Sequence, residues 1–199
     1  MKESIPPILR PDHVSPVRLV DLATRFGLGG FAPDTVSATG ISMNTNDLQP
    51  GDLFVAMPGL KSHGANFARK AQELGACAIV TDAAGLQVIR DELGETAVPL
   101  LQLENPRTNL GNLAAFVYGN VGDNLPKLFG TTGTNGKTST SYLLEGILRQ
   151  MGLVTGLTST AERHIAGEVI VSRLTTPEST EMQALIARMR EKAVEAIAI

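Results

Sequence analysis

The sequence contains very little cysteine and few aromatic residues. A single cysteine, Cys77, stands among 199 residues, and aromatic side chains make up 4% of the chain with no tryptophan. One cysteine cannot form an intrachain disulfide or a thiolate metal cluster. Because Cys77 lies within the apolar segment 76–80, we expect it to be a small core residue rather than a nucleophile.

Long apolar runs and blocks of like charge are also missing. Seventeen basic and twenty acidic side chains give a net charge of −3, whereas a non-specific nucleic-acid binder needs a basic stripe to neutralise phosphates. The proline-rich N-terminus has no apolar core of the kind a signal peptide requires, and no stretch reaches the roughly 18 apolar residues of a membrane span. We therefore expect a soluble, cytoplasmic protein that binds neither nucleic acid nor membrane.

What the sequence does have is an alternation of short apolar runs with segments of helical periodicity. Hydrophobic residues make up 43% of the chain, which is ample for a core. Strands alternating with helices predict α/β architecture with largely parallel sheets. The polar segment 119–124 predicts a boundary between an N-terminal domain, residues 1–120, and a second α/β domain, residues 121–199. Because parallel strands are normally covered by further βα units, the apolar strand 196–199 predicts an incomplete second domain and a longer parent protein.

The patterns also predict individual elements. Strands are predicted at 53–57, 77–80, 98–103, 127–129 and 153–157, helices at 65–74, 85–93, 107–118 and 177–195, and a hairpin at 164–173. The helix after the glycine-rich loop is predicted to bury one apolar face, formed by Leu143, Leu144, Ile147, Leu148 and Met151. His13 and His164 have no partners at ligand spacing, and we expect both on the surface.

The strongest chemical signal is the glycine-rich segment 130–138, whose sequence is GTTGTNGKT. Its end satisfies the P-loop pattern G-x-x-x-x-G-K-[ST], although Thr131 stands where that pattern has its first glycine. A strand, a glycine-rich turn and a helix start direct backbone N–H groups at one point, where the helix dipole favours a phosphate. We expect Lys137 to reach the β- and γ-phosphates of ATP and the Thr138 hydroxyl to ligate Mg²⁺. The alternative is a glycine-rich turn with a chance lysine, which the strand before it and the amphipathic helix after it disfavour.

Three segments together resemble the Mur ligases, enzymes that join amino acids to a nucleotide-linked cell-wall precursor. Residues 133–138 (GTNGKT) resemble their ATP loop, residues 50–56 (PGDLFVA) a stretch of their N-terminal domain, and residues 175–177 (TTP) a third motif, all in the family's order. The resemblance runs from about residue 40 to the C-terminus. It implies an N-terminal domain that holds the UDP end of the precursor and the beginning of a central P-loop domain, with ATP and Mg²⁺ as cofactors.

The resemblance also implies roles for individual residues, with Lys137 as the catalytic residue and Thr138 as the metal ligand. Nucleotide contacts are expected at Gly133, Thr134, Asn135, Gly136, Lys137, Thr138 and Ser139. Precursor contacts are expected at Met43, Thr45, Lys61, Ser62, His63, Thr175 and Thr176.

Simpler interpretations stay open for the precursor residues. The segment 44–46 (NTN) occupies the position of the family's Asp-Ser-Arg tripeptide, so a hydroxyl is retained while the acid and the arginine are absent. A polar turn before a strand explains this segment equally well, and an ordinary solvated loop explains residues 61–63. Thr176, before Pro177, also suits the N-cap of a helix.

Within this family, the PGDLFVA stretch favours the enzymes that add the third peptide residue. The resemblance then implies phosphoryl transfer from ATP to the D-glutamate carboxylate of UDP-N-acetylmuramoyl-L-alanyl-D-glutamate, and attack on the acyl phosphate by meso-diaminopimelate or L-lysine. Two alternatives are another Mur-type ligase, similar to folylpolyglutamate synthetase, and a non-catalytic nucleotide-sugar binding homologue. Because the resembling enzymes carry an acidic Mg²⁺ partner and a third domain beyond this stretch, we expect the chain alone to show no ligase turnover.

Overall fold

The computed structural model describes residues 8–123, 125–172 and 177–199. Strands alternate with helices along most of the chain, and the two larger sheets contain parallel strands, so the predicted α/β class is confirmed. The chain divides into two compact units. We call them the N-terminal unit, His13–Gly119, and the C-terminal unit, residues 8–12 together with Asn120–Ile199.

The N-terminal unit is built on a parallel sheet of four strands in the order β3-β4-β5-β6. A short antiparallel pair, β1 and β2, stands apart from this sheet. The elements are β1 Val17–Arg18, α1 Leu19–Phe26, β2 Ser37–Ala38, β3 Gly40–Ser42, β4 Asp52–Ala56, a 3₁₀ helix Gly64–Phe67, α2 Ala68–Glu73, β5 Ala78–Thr81, α3 Ala83–Leu93, β6 Leu100–Gln102 and α4 Pro106–Val117.

The central strands of this unit are buried along their whole length. Every residue of β4 and β5 is buried, which explains why both segments are almost continuously apolar in the sequence. The three strands predicted here are confirmed, with ends that shift by one or two residues. Helix α3 begins two residues earlier than predicted, because the Asp82 carboxylate caps it by accepting a hydrogen bond of 2.8 Å from the Gly85 N–H.

The C-terminal unit contains a mixed sheet of five strands in the order β10-β9-β8-β11-β7. Strand β11 lies between β7 and β8 and runs parallel to both, while β8, β9 and β10 pair antiparallel. The predicted hairpin is confirmed, and its turn residues, Ala166 and Gly167, both have positive φ angles. The elements are β7 Lys127–Phe129, α5 Lys137–Gln150, β8 Thr155–Thr158, β9 Glu162–Ile165, β10 Glu168–Val171, α6 Ser179–Glu191 and β11 Ala196–Ala198.

The burial predicted for α5 is confirmed at Leu148 and wrong at three of the five positions. Leu143, Ile147 and Met151 are 68%, 56% and 71% exposed, and the buried positions of this helix include Glu145 and Leu148. Helical periodicity identifies an apolar face but does not say which face packs against the sheet. Here the packed face carries a carboxylate that hydrogen bonds make tolerable in the interior.

A buried ion pair joins β9 to α6. The Arg163 guanidinium donates a hydrogen bond of 2.7 Å to the Glu181 carboxylate, and the two side chains are only 1% and 3% exposed. The interior of this unit is therefore charged as well as apolar.

Among the helices of the described residues, none has the length and the apolar composition that a membrane span requires.

Candidate functional site

The glycine-rich loop of the C-terminal unit connects β7 to α5. Gly136 occupies the N-cap of α5 with φ of 79°, in the left-handed region that favours glycine, and no side chain caps this helix start. The first backbone N–H groups of a helix have no partner within the helix, and the helix dipole places partial positive charge there. The loop therefore presents to solvent a helix start whose free N–H groups favour an anion.

Lys137 is the first residue of α5, and its side chain folds back over the loop. The Lys137 ammonium donates a hydrogen bond of 2.5 Å to the Gly133 carbonyl, and both residues are exposed. Gly133 has φ of 150°, again in the region that glycine adopts easily. The Lys137 ammonium, hydrogen-bonded to the loop backbone, adds a full positive charge to the partial positive charge at the start of α5.

A cavity of about 180 Å³ lies beside this loop. Thr138 lies on its wall, with Oγ1 3.4 Å from Oγ1 of Thr160. The carboxyl ends of β7, β8 and β11 meet here, which is where ligands bind in parallel α/β sheets. Its lining residues are Thr131, Lys137, Thr138, Ser141, Thr158, Ser159, Thr160, Pro177, Met182 and Ile199. Hydroxyl groups and one lysine suit a phosphate chain, and a hydroxyl such as that of Thr138 is the hard oxygen donor that Mg²⁺ prefers.

A hydrogen-bonded network behind the cavity ties α5 to β9. His164 lies between two carboxylates, with Nδ1 2.8 Å from Glu145 Oε2 and Nε2 3.4 Å from Glu162 Oε2. The Tyr142 hydroxyl donates a hydrogen bond of 2.9 Å to Glu162. Hydrogen bonds from Tyr142 and then from His164 lower the pKa of Glu162 below its ordinary value. The expectation that His164 is a surface residue is wrong, since its side chain is 13% exposed, whereas His13 is exposed.

The N-terminal unit has a cavity of about 280 Å³, here called the β3–β4 cavity, at the carboxyl ends of strands β3 and β4. Three of the residues predicted to bind precursor, Met43, Thr45 and Ser62, lie on its wall. The full lining is Met43, Asn44, Thr45, Asn46, Phe54, Met57, Pro58, Gly59, Ser62, Gly64, Phe67, Lys70 and Arg107. The two loops that follow β3 and β4 thus contribute to one cavity, as the position of the loops at the sheet edge predicts.

The remaining predicted precursor residues lie elsewhere. Lys61 is exposed and does not line this cavity. His63 is turned inward, where Nδ1 accepts a hydrogen bond of 3.0 Å from the Ala65 N–H and Nε2 lies 3.1 Å from Asp82 Oδ1. Gly85 leaves room for this ring, since a Cβ there would stand 2.6 Å from His63 Cε1. A role for Lys61 or His63 in binding stays a prediction. Thr175 and Thr176 lie outside the described residues.

Sequence reasoning missed two basic residues of the β3–β4 cavity. Lys70 lies on α2 and Arg107 on α4, and both contribute to the cavity wall. Neither residue belongs to a recognisable motif, so only the fold brings them together with Thr45 and Ser62. Cys77 is half-buried just before β5 and is not a core residue as expected, but burial raises the pKa of its thiol to about 11, which agrees with the expectation that it is not a nucleophile.

Comparison with known proteins identifies two domains of one family. Residues 37–118 match the family described as "Mur ligase family, catalytic domain", and residues 131–199 match "Mur ligase middle domain". The first match covers the sheet of the N-terminal unit, and the second begins inside the glycine-rich loop.

Individual relatives extend the similarity over nearly the whole chain. A UDP-N-acetylmuramyl-tripeptide synthetase from Leifsonia xyli subsp. xyli is 47% identical over 195 residues, which are 98% of this chain and 37% of that protein. A UDP-N-acetylmuramoyl-L-alanyl-D-glutamate--2,6-diaminopimelate ligase from Streptomyces avermitilis is 44% identical over 190 residues, 96% of this chain and 36% of that protein. The chain therefore spans little more than a third of the length of these relatives.

Solved structures show the same fold. A UDP-N-acetylmuramoyl-L-alanyl-D-glutamate--2,6-diaminopimelate ligase has a TM-score of 0.69 at 17% identity, over 92% of this chain and 35% of that chain. A MurF ligase from Thermotoga maritima in complex with ADP has a TM-score of 0.53 at 21% identity, over 79% of this chain and 30% of that chain. With two domain matches in order and relatives aligned along almost its entire length, this chain belongs to the Mur ligase family.

Proposed function

We propose that the protein carrying this chain is an ATP-dependent amide ligase of peptidoglycan precursor synthesis. It would add a diamino acid to UDP-N-acetylmuramoyl-L-alanyl-D-glutamate. The names of the relatives favour 2,6-diaminopimelate as that diamino acid, with L-lysine as the alternative. The proposed place of action is the cytoplasm, where the product would serve cell-wall biogenesis and hence cell shape and division.

The observation that carries this proposal is the glycine-rich loop at the carboxyl ends of three strands, with Lys137 across it. We assign the triphosphate of ATP to this loop, with contacts from Gly133, Thr134, Asn135, Gly136, Lys137, Thr138 and Ser139. The backbone N–H groups at the start of α5 would hold phosphate oxygens, and the ammonium of Lys137 would leave the Gly133 carbonyl to neutralise the β- and γ-phosphates. Mg²⁺, held in part by the Thr138 hydroxyl, would supply further charge neutralisation.

The proposed reaction has two steps. The D-glutamate carboxylate attacks the γ-phosphorus of ATP, the bond to the β–γ bridging oxygen breaks, and an acyl phosphate and ADP form. The amine of the diamino acid then attacks the acyl carbon, phosphate leaves, and the amine loses a proton as the amide forms. The protein's part in the first step is positioning and charge neutralisation, because phosphoryl transfer needs little covalent help.

We place the UDP end of the precursor in the β3–β4 cavity. Met43, Thr45 and Ser62 on its wall support this assignment, and we retain Lys61 and His63 as proposed contacts of the adjacent loop. Thr175 and Thr176 are proposed contacts of the peptide end. The apolar part of the wall suits a nucleobase, and the hydroxyl groups suit its polar edge or the ribose.

The test is phosphate release by the protein expressed from its complete gene, with ATP, Mg²⁺, precursor and 2,6-diaminopimelate. Release that needs both the precursor and the amine supports the proposal. Release with L-lysine in place of diaminopimelate would make L-lysine the diamino acid that is added, whereas release with glutamate would assign the protein to another branch of the family. Binding of UDP-precursor without any amine-dependent release would favour the non-catalytic nucleotide-sugar binding homologue.

A further inference from the structure

The β3–β4 cavity combines an apolar wall with two cations. Phe54, Met57 and Phe67 supply apolar surface, and Lys70 and Arg107 supply positive charge. No aspartate or glutamate is among the lining residues within the described part of the chain. A cavity of this composition fits a ligand with a flat apolar part and an anionic part, such as a nucleoside diphosphate.

The ammonium of Lys70 lies beside Asn46. Its Nζ is 3.4 Å from Asn46 Oδ1, which is a long hydrogen bond between two exposed side chains 24 positions apart. Asn46 is the third residue of the segment 44–46, which occupies the position of a tripeptide ending in arginine in the resembling family. Lys70, on helix α2, thus places a positive charge beside Asn46, the residue at the position of that arginine.

Arg107 provides a second positive charge on the cavity wall. One of its guanidinium nitrogens donates a hydrogen bond of 3.1 Å to the Pro58 carbonyl, at the start of the loop that also carries Ser62. The other guanidinium N–H groups remain available for an anion, since a guanidinium carries five donors in a planar fork.

We propose that Lys70, together with Arg107, binds the diphosphate of the UDP-linked precursor, and that Lys70 replaces the charge missing at position 46. This inference rests on the proposed precursor site and names the groups that read its anionic part. The apolar wall and Thr45 would then face the nucleoside. Lys70 is a binding residue in this arrangement and takes no part in the chemistry of ligation.

The test is calorimetric titration of the 199-residue chain with uridine, UDP and inorganic pyrophosphate. The wild-type chain is expected to bind UDP more tightly than uridine. The substitution Lys70→Ala should reduce this preference about tenfold, the range of one charged hydrogen bond, while uridine affinity stays the same. Placing Asn46→Arg in the Lys70→Ala background should restore the preference, and Arg69→Ala, a change of the neighbouring exposed cation, should leave it unaltered.

The outcomes separate the two proposals. A wild-type chain that binds neither uridine nor UDP would overturn the precursor site itself, and this inference with it. A UDP preference that persists in Lys70→Ala would overturn the inference and leave the proposed function standing. Pyrophosphate affinity that falls in Lys70→Ala in parallel with UDP affinity would support it, since the free anion would then contact the same cation. Circular dichroism of each variant checks that the fold is unchanged, as expected for exposed side chains.

Discussion

The two units differ in the kind of anion site that we propose for each. In the C-terminal unit, the site is a continuous stretch in which the backbone itself supplies the donors, with Lys137 adding charge. In the N-terminal unit, the β3–β4 cavity is assembled from side chains as far apart in sequence as Met43 and Arg107. The first kind of site can be recognised from a short motif because its geometry is local. The second depends on the completed fold.

The interiors of the units differ as well. The central strands of the N-terminal unit bury one carboxylate, Asp52, among mostly apolar residues, whereas the C-terminal unit buries the Arg163–Glu181 pair and Glu145. Burying a charge is tolerable only with a well-placed partner, and removal of that partner leaves the desolvation cost uncompensated. The C-terminal unit should therefore be the more sensitive of the two to single polar substitutions.

The largest effect is expected for Glu181→Ala. This change leaves the guanidinium of Arg163 buried without its carboxylate, which should cost about 3–5 kcal/mol in the free energy of unfolding. Urea unfolding followed by amide hydrogen exchange would assign the loss to the C-terminal unit. Glu178→Ala, at the exposed N-cap of the same helix, is the control and should change stability by less than about 0.5 kcal/mol. Equal effects of the two changes would remove the contrast between the interiors.

The next largest effect is expected on nucleotide binding at the glycine-rich loop of the C-terminal unit. Lys137→Ala should weaken binding of a non-hydrolysable ATP analogue by about 10- to 100-fold, because a charged hydrogen-bond donor to the phosphates is lost. Isothermal titration calorimetry measures the affinity for the analogue. The control is Lys192→Ala, on the exposed end of α6, which should leave that affinity unchanged. UDP affinity should be unaffected by Lys137→Ala. A parallel loss of UDP binding would mean that the two sites are not independent.

The sequence predicts the features that depend on a few consecutive residues. It does not predict those that depend on residues far apart in the chain. The strands around Phe54 and Ile79 and the loop at Gly136 follow from apolar runs, turns and a motif that each occupy a few consecutive residues. The inward orientation of His63 and the partial burial of His164 each depend on a carboxylate 19 positions away, Asp82 and Glu145 respectively. No local sequence pattern encodes such pairings. The sequence alone therefore predicts a surface residue for His164 and allows an ordinary solvated loop at His63.

A pH dependence should arise from the network between α5 and β9. Hydrogen bonds from Tyr142 and His164 hold the pKa of Glu162 below its ordinary value of 4.5 in the folded protein. A lowered folded pKa means that the ionised carboxylate stabilises the fold above pH 4.5, and that this contribution is lost as the pH falls through the lowered value.

The substitution Glu162→Gln tests this dependence. Its melting temperature should lie below that of the wild type near neutral pH, and the two should converge in acid. Glu168→Gln, on the exposed strand β10, is the control and should follow the wild type at every pH. A difference that stays constant through the acid range would show that Glu162 acts through packing and not through its charge.

The smallest effect is expected on the outer face of α5, where the sequence pattern was misleading. Leu143 is 68% exposed and Leu148 6% exposed on the same helix, although both belong to the face that periodicity predicted to be buried. Leu143→Ala should change the unfolding free energy of this chain by less than about 0.5 kcal/mol, because it removes little buried surface. Leu148→Ala makes the same chemical change and should cost about 2–5 kcal/mol through the lost contacts and the cavity left behind. Thermal and urea unfolding of the pair measure the difference. If Leu143→Ala costs as much as Leu148→Ala, the outer face is covered in solution, and the polar contacts of Glu145 do not decide which side of α5 packs against the sheet.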